Sequence, residues 1–153
     1  MPLDPARTVA ELRELQELTG DENGAQRVAW TETWARGRAW LAAKLDAVGA
    51  EHERDPAGND WYTLRGESER ALLIGGHMDS VPNGGRLDGC LNVLAGVEVL
   101  RRLAEEGTPP LTVRLVDWAD EEGARFGRSL FGSSAAAGSM ADQDELRELR
   151  DRD

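Results

Sequence analysis

Two short stretches of this sequence concentrate the residue types that could do chemistry. The first contains His77, Asp79 and Asp88 among several glycines, and the second contains the adjacent Glu121 and Glu122. A neutral imidazole and carboxylate oxygens are common protein ligands of divalent metal ions. Together the two stretches indicate a metal-dependent hydrolytic site.

The spacing within each stretch indicates how such a site could work. His77 could bind a metal through one ring nitrogen while Asp79 accepts a hydrogen bond from the other, as carboxylates often do beside ligating histidines. Asp88 could bridge two cations with its two oxygens. Glu121 and Glu122 are adjacent, so their side chains diverge, and one could bind metal while the other acts as general base toward water.

Each of these residues also has an ordinary structural interpretation. A single histidine after a strand is more often structural, Asp88 alone would be a helix N-cap, and Glu121 with Glu122 would be a solvated charge run. The glycines around Asn83 alone would form a turn. The case for function depends on these residues meeting at one place in the fold.

Secondary-structure patterns predict that they do meet. The apolar run 71–74 lacks alternation, which is typical of a strand buried on both faces, and 111–118 is predicted to be the next buried strand. The intervening stretch 88–106 has helical spacing that Gly107 ends, with an inward face of Leu91, Leu94, Val97 and Leu100 or Leu103. Strand, helix and strand in this order predict a parallel pair, whose carboxyl ends are where open α/β sheets bind ligands.

The remaining segments predict further helices and a hairpin. Val9, Leu12, Leu15 and Leu18 recur at helical spacing, and Thr8 with Glu11 matches a capping box. The other predicted elements are a helix over 31–48, a hairpin of 51–54 with 61–65, a short helix near 129–138 and a charged helix over 142–153.

Composition and charge argue against a nucleic-acid-binding, disulfide-bonded, secreted or membrane-spanning protein. The formal net charge of -11 disfavours nucleic-acid binding, which needs a basic face. Cys90 is the only cysteine, so an internal disulfide is excluded. The first residues lack the pattern of a signal peptide, and no apolar run is long enough to span a bilayer. We therefore expect a cytoplasmic protein without a membrane or nucleic-acid partner.

The two chemical stretches resemble a known family. Residues 75–89, Gly-Gly-His-Met-Asp-Ser-Val-Pro-Asn-Gly-Gly-Arg-Leu-Asp-Gly, are similar to the first metal motif of the N-carbamoyl-L-amino-acid hydrolases and allantoate amidohydrolases. These enzymes are among the aminoacylase and carboxypeptidase-type di-zinc hydrolases. Residues 120–127 and 130–138 resemble the second motif, and the turn at 57–59 matches a family turn.

The resemblance implies a role for each candidate residue. His77 would bind one metal ion, Asp88 would bridge two, and Glu122 would bind the other. Glu121 would be the general base and acid, and Asp79 would orient His77. The entrance to the site would be shaped by Asn83, Gly84 and Gly85.

The resemblance also implies a fold, a cofactor and a reaction. The fold would be α/β: a three-layer metallo-hydrolase catalytic domain with a mixed, largely parallel sheet flanked by helices. Two divalent metal ions would be bound, zinc first, with manganese, cobalt or nickel as alternatives. The reaction would be hydrolysis of a non-peptide C–N bond in a small linear amide or ureido compound, such as an N-carbamoyl-L-amino acid, allantoate or ureidoglycolate.

The sequence departs from the family pattern in two respects. Cys90 and Asn92 stand where relatives often carry small residues. Cys90, beside the bridging position, could make a weak contact with a soft metal, but we favour its interpretation as a small buried residue on a helix face. The family also uses histidines after the second motif, whereas the only other histidine here is His52, upstream. We therefore expect residues 1–153 to be a truncated, N-terminal part of the catalytic domain, without the dimerisation or lid domain and the C-terminal part, and poorly active alone.

This expectation leaves alternatives to a simple enzyme. The chain could be a non-catalytic fragment or association module that forms a homo-oligomer, or that pairs with a full-length relative or a missing C-terminal half through an unpaired sheet edge. A metal-free α/β domain would leave the clustered ligand-type residues unexplained.

Overall fold

A computed structural model gives the structure of the protein and describes residues 2–140 and 143–152. The described chain contains a four-stranded mixed sheet flanked by helices and a separate two-stranded hairpin. The elements in chain order are α1 (Pro5–Thr19), β1 (Gly20–Asp21), β2 (Gly24–Ala25), α2 (Glu32–Asp46), β3 (Glu51–Arg54), β4 (Asp60–Leu64), β5 (Ala71–Gly76), α3 (Cys90–Glu106), β6 (Thr112–Asp117), α4 (Phe131–Ala136) and α5 (Gln143–Glu148).

The main sheet has the order β3-β4-β6-β5. Strands β5 and β6 are parallel neighbours, and β3, β4 and β6 are antiparallel to one another in turn. The predicted parallel pair and the predicted hairpin are therefore confirmed. The predicted class, an α/β fold with a mixed sheet flanked by helices, is confirmed as well.

The core lies between one face of this sheet and helices α1, α2 and α3. Alternate residues of β4 and β6 point into it, and the helices contribute apolar positions at three- and four-residue spacing. Its fully buried members include Leu15, Leu41, Leu45, Tyr62, Met78, Cys90, Val93, Leu94, Val97, Leu100 and Leu115.

The inward face predicted for α3 is correct except at its start. Leu94, Val97 and Leu100 are fully buried, but Leu91 is 43% exposed. The buried stripe runs through Cys90, Val93, Leu94, Val97 and Leu100, and Leu91 lies off that stripe. The prediction for Leu91 is therefore wrong because the stripe begins one residue earlier.

The burial predicted for β5 is also wrong. Leu72 is 53% exposed and Leu73 is 48% exposed. Within the described residues, β5 is hydrogen-bonded to β6 on one side and forms an edge of the sheet. An apolar run without alternation does not distinguish an edge strand from a central one, because both can carry the same residues.

Helix α1 begins earlier than its predicted cap. Asp4 is the N-cap, and its carboxylate accepts hydrogen bonds from the backbone of Ala6 and Arg7. Thr8 and Glu11 are buried inside the helix, so the predicted capping box is wrong. Asp4 immediately before Pro5 supplies both an acceptor and a favourable first residue, and this stronger start signal prevails.

The last predicted helix is shorter than expected. Helix α5 ends at Glu148, while Asp142 and Asp153 of the predicted range lie outside the described residues. Of the helices described, none combines the length and apolar character that a membrane span requires.

Candidate metal centre

The two chemical stretches start from the same rung of the sheet. Gly76, the last residue of β5, pairs with Asp117, the last residue of β6. The backbone amide of Trp118 donates to the carbonyl of Gly76 at 2.8 Å and extends this pairing. His77 and the loop that carries Glu121 therefore leave the carboxyl edge of the sheet side by side.

His77 presents one ring nitrogen to a group of carboxylates. Its side chain is largely buried, and Nδ1 lies 3.1 Å from the backbone oxygen of Asp79. Nε2 lies 3.5 Å from Glu121 Oε2 and 3.7 Å from Asp88 Oδ1. If Nδ1 donates its proton to that backbone oxygen, the lone pair of Nε2 faces the carboxylates, which is the tautomer a metal ligand needs.

The site favours positive charge. Burial lowers the pKa of His77, but the hydrogen bond and charge of Asp79 and the charge of Glu121 outweigh it and raise that pKa to about 9. Burial raises the pKa of Glu122; the charge of His77 lowers it, and the charges of Asp88 and Glu121 raise it further. Carboxylates crowded in this way repel one another, and a cation between them relieves the repulsion.

Asp79 connects the two stretches. Its side chain is buried, and its two oxygens accept hydrogen bonds from the backbone amides of Glu121 at 3.2 Å and Glu122 at 3.0 Å. Asp79 Oδ1 is also 3.5 Å from Nδ1 of His77. The carboxylate predicted to orient the histidine thus also fixes the turn that carries both glutamates.

Three of the predicted residues form a group suited to a metal ion. Among the residues described, one ligand atom from each of His77, Glu121 and Glu122 lies within 4.8 Å of the other two. Asp88 is outside this group, and its side chain is 69% exposed at the rim. A nitrogen and oxygen donor set of this kind suits zinc, manganese, cobalt or nickel.

Gly89 brings the start of α3 against His77. Its φ of 63° is in the left-handed region, and a Cβ added there would lie 2.4 Å from the backbone oxygen of His77. A side chain at this position would collide with the backbone and the ring of His77. Glycine is thus required by both the conformation and the close approach.

Two of the three residues predicted to shape the entrance, Asn83 and Gly84, are hydrogen-bonded to β2 and the residue that follows it. Asn83 Oδ1 accepts a hydrogen bond from the amide side chain of Gln26 at 2.7 Å, and Gly84 exchanges backbone hydrogen bonds with Ala25. A Cβ added at Gly85 would meet no atom within 4 Å. The structure therefore attaches Asn83 and Gly84 to Gln26 and Ala25, and their role at the entrance stays a prediction.

The second histidine lies elsewhere. His52 Nε2 is 3.0 Å from Asp60 Oδ1, and its ring stacks on Tyr62 with centroids 4.7 Å apart. Among the residues described, the metal-type group consists of His77, Glu121 and Glu122 and does not include His52. Cys90 is fully buried, which agrees with its interpretation as a small core residue.

Asp117 is a supporting residue whose role was not predicted from the sequence. Its Oδ1 accepts a hydrogen bond from the backbone amide of Met78 at 2.7 Å, and its Oδ2 lies 2.8 Å from Nε of Arg38. Burial raises the pKa of Asp117 to about 7, although Arg38 and the Met78 amide lower it. A charged residue ending an apolar strand was the signal that could have identified it.

Asn59 is a second such residue. Its Oδ1 accepts a hydrogen bond from the backbone amide of Ala119 at 2.9 Å, and its Nδ2 donates to the carbonyl of Gly132 at 3.0 Å. The turn between β3 and β4 is thereby attached to the loop that leads into Glu121. The asparagine of the Ala-Gly-Asn turn was visible in the sequence, but its distant partners were not.

Comparison with known proteins identifies the family. Residues 73–150, about half of the chain, match the model of peptidase family M20/M25/M40. The matched range contains both chemical stretches and all the proposed metal ligands. The chain therefore belongs to this family.

Individual relatives indicate which members of this family the chain is similar to. An N-carbamoyl-L-amino acid amidohydrolase of Geobacillus stearothermophilus is 38% identical over 92% of this chain and 35% of its own. An allantoate amidohydrolase of Bacillus subtilis is 32% identical over 85% of this chain and 32% of its own. The crystal structure of a hydantoinase/carbamoylase family amidase from Burkholderia ambifaria matches with a TM-score of 0.91 and 33% identity, over 98% of this chain and 37% of that one.

The resemblance predicted from the motifs is thus confirmed. The chain spans about a third of the length of these relatives.

Proposed function

We propose that this chain carries part of the active site of a metal-dependent amidohydrolase. The observation that carries the proposal is the convergence of His77, Glu121 and Glu122 at the carboxyl ends of two parallel strands. Relatives named amidohydrolases, similar over nearly all of this chain, support it. The reaction is hydrolysis of a non-peptide C–N bond in a small linear amide or ureido compound of the N-carbamoyl-L-amino acid, allantoate or ureidoglycolate type.

In this proposal each residue of the site has one task. His77 and Glu122 would each hold a divalent cation, and Asp88 would be a ligand shared by both. A divalent cation at this place supplies the positive charge that polarises a carbonyl group and makes water more acidic. Glu121 takes a proton from the attacking water and returns it to the leaving nitrogen. Asp79 holds the backbone of both glutamates and orients the ring of His77.

The side chains described here fit one cation better than two. Zinc ions in hydrolases usually have about three protein ligands each, with a bridging group counted for both. The three proposed ligands His77, Asp88 and Glu122 are too few for two such sites, and His52 is engaged with Asp60 and Tyr62. Residues other than these must complete a pair, and we propose that 1–153 forms one part of a larger catalytic domain.

Metal loading and hydrolysis measured together test this proposal. The chain would be loaded with Zn²⁺ or Mn²⁺ and assayed against N-carbamoyl-L-amino acids and allantoate, beside His77→Ala and the matched control His52→Ala. We expect His77→Ala to lose metal and His52→Ala to retain it. Equal metal content in both variants would refute the proposed centre.

Measurement of turnover distinguishes a chain that is active by itself from one that supplies only part of an active site. Metal-dependent turnover that disappears in Glu121→Gln would show that this part of the site works by itself. Metal binding without turnover would support the ligand roles and leave catalysis to a larger assembly.

A second candidate function, association through a sheet edge, is favoured by β5. In the part of the chain that the structure describes, this strand pairs only with β6 and exposes Leu72 and Leu73. Unpaired strands with apolar side chains are templates for pairing with another chain. Light scattering after size-exclusion chromatography would test it, and a monomer at every concentration that binds no apolar dye would exclude it.

A further inference from the structure

Arg27 is buried beside the segments that carry the candidate metal ligands, and no motif of the sequence includes it. Its side chain is 0% exposed, and its guanidinium reaches three partners from different segments. Nε donates to the backbone oxygen of Met78 at 2.8 Å, Nη2 contacts Cys90 Sγ at 3.0 Å, and Nη1 donates to Thr19 Oγ1 at 3.1 Å. We call these four residues the Arg27 clamp.

Two of these partners belong to the segments that carry proposed metal ligands. Met78 lies directly between His77 and Asp79. Cys90 is the first residue of α3 and follows Asp88 by two positions. One rigid, planar guanidinium therefore holds the loop after β5 and the start of α3 at a fixed separation.

The backbone of Arg27 adds to this connection. Its amide donates to Ser80 Oγ at 3.0 Å, and its carbonyl accepts from the backbone amide of Ser80 at 3.0 Å. The other side of Met78 is held as well, because its amide donates to Asp117. A buried cation and a buried carboxyl group thus hold the carbonyl and the amide of the same residue.

A buried arginine is a costly way to fill space, since its charge loses solvation. The three partners of this guanidinium are a carbonyl, a hydroxyl and a thiol, and two of them lie within two residues of a proposed ligand. We infer that Arg27 is a positioning residue, which sets the distance between His77 and Asp88 by joining the loop of Met78 to Cys90. This inference rests on the proposed function for its consequence, metal affinity, but its geometry stands independently.

Two matched variants test the clamp. Cys90→Ala removes the acceptor on α3 together with the 3.9 Å contact of Cys90 Sγ with the Met78 oxygen. Thr19→Val removes the acceptor on α1. In the metal-free chain, we expect Cys90→Ala to speed hydrogen exchange at the Met78 and Ser80 amides by about fivefold, since a lost hydrogen bond is worth about 1 kcal/mol. Thr19→Val should leave these two amides within about twofold.

Cys90→Ser distinguishes a clamp from packing. A hydroxyl keeps a partner for the guanidinium, so slower exchange than in Cys90→Ala supports the clamp. If Ser and Ala behave alike, Cys90 only fills space and the inference is overturned. It is also overturned if Thr19→Val has the same effect as Cys90→Ala, because the connection to α3 would then have no special part.

Mn²⁺ titration followed by electron paramagnetic resonance adds the functional readout. Manganese prefers oxygen and nitrogen ligands, so removal of a thiol does not remove a ligand of its own. We expect the dissociation constant of Cys90→Ala to rise about fivefold and that of Thr19→Val to stay within about twofold. An unmodified chain that binds no Mn²⁺ would refute the proposed metal centre, while hydrogen exchange would still decide for or against the clamp.

Discussion

At the scale of single residues, one carboxylate, that of Asp79, holds the backbone that carries the candidate reactive groups. Asp79 binds the backbone of Glu121 and Glu122 and lies beside His77. The two glutamates share this support and differ in the task proposed for them. Substitutions that preserve shape and remove charge are therefore the sharpest probes of the site.

Glu122→Gln and Glu121→Gln should separate metal binding from proton transfer. We expect Glu122→Gln to weaken metal affinity by about tenfold or more, since it removes a charged ligand, and Glu121→Gln to have a smaller effect. Hydrolysis, in whatever assembly supports it, should fall by about 10²-fold or more in Glu121→Gln because a general base contributes that much. Calorimetric metal titration and a colorimetric ammonia or amino-acid assay measure the two effects.

The exposed Glu17 of α1 provides the control for this pair. Glu17→Gln changes the net charge by the same amount and should alter neither property. The assignment would be reversed if Glu121→Gln released the metal and Glu122→Gln retained it.

Asp117 should make stability depend on pH in a defined window. Its pKa in the folded protein is raised to about 7 by burial, above the value of 3.8 typical of an accessible aspartate. Between these values the unfolded chain loses the proton first, so this group favours the folded state less as pH rises from about 4 to 7. The free energy of unfolding of the unmodified chain should therefore fall relative to Asp117→Asn across that window.

Urea denaturation of both proteins in EDTA, at several pH values, gives this difference. The difference should be constant below about pH 4 and above about pH 7, where the group has the same protonation in both states. A difference that rises with pH would show that the pairing with Arg38 outweighs burial.

At the scale of elements, the β3–β4 turn packs so closely against the start of α4 that one glycine there has no room for a side chain. Gly132 lies at the start of α4, where Asn59 bridges two loops, and a Cβ there would lie 1.9 Å from Asn59 Oδ1 and 2.7 Å from the Ala119 amide. The position of α4 relative to the β3–β4 turn thus depends on this glycine. The loop that carries Glu121 lies between Ala119 and Gly132, the two residues to which Asn59 is hydrogen-bonded.

Gly132→Ala should consequently destabilise the protein by about 1–3 kcal/mol, the usual range for an overpacked position. Gly85→Ala is the matched control, because a Cβ there meets no atom within 4 Å. Chemical denaturation followed by tryptophan fluorescence compares the two. Equal stability of both variants would mean that Asn59 moves aside at little cost.

At the scale of the whole molecule, the described residues bury one face of the main sheet under α1, α2 and α3 and place β5 at an edge of that sheet. Leu72 and Leu73 of that edge are exposed, whereas Val113 and Leu115 of the neighbouring strand β6 are buried in the core. The net charge of -11 works against self-association, whereas the apolar edge favours it.

Leu73→Lys should shift this balance toward the monomer. A charged residue on an edge strand blocks pairing with another chain. We expect less apolar-dye binding and less oligomer by light scattering, with the free energy of unfolding changed by no more than about 0.5 kcal/mol because the side chain is half exposed. Leu3→Lys, at another exposed leucine, is the control, and an equal effect of both would attribute the change to net charge alone.

Much of the site and the fold could be predicted from the sequence because the signals are local. The repeated apolar positions of α3, the turn residues between β3 and β4, and the strand-helix-strand order each occupy a short stretch of chain. His77, Glu121 and Glu122 could be selected because each follows a predicted strand. The parallel pairing of β5 and β6 then required that they converge.

Tertiary structure alone decided the features that depend on distant contacts. The amides of Glu121 and Glu122 meet Asp79 across the sheet, and Arg27 meets Met78 and Cys90 from far along the chain. Whether β5 is an edge or a central strand likewise depends on its neighbours and not on its own residues. Local composition determines which elements form and which chemistry they can carry, whereas burial and hydrogen-bond partners are set only when the elements pack together.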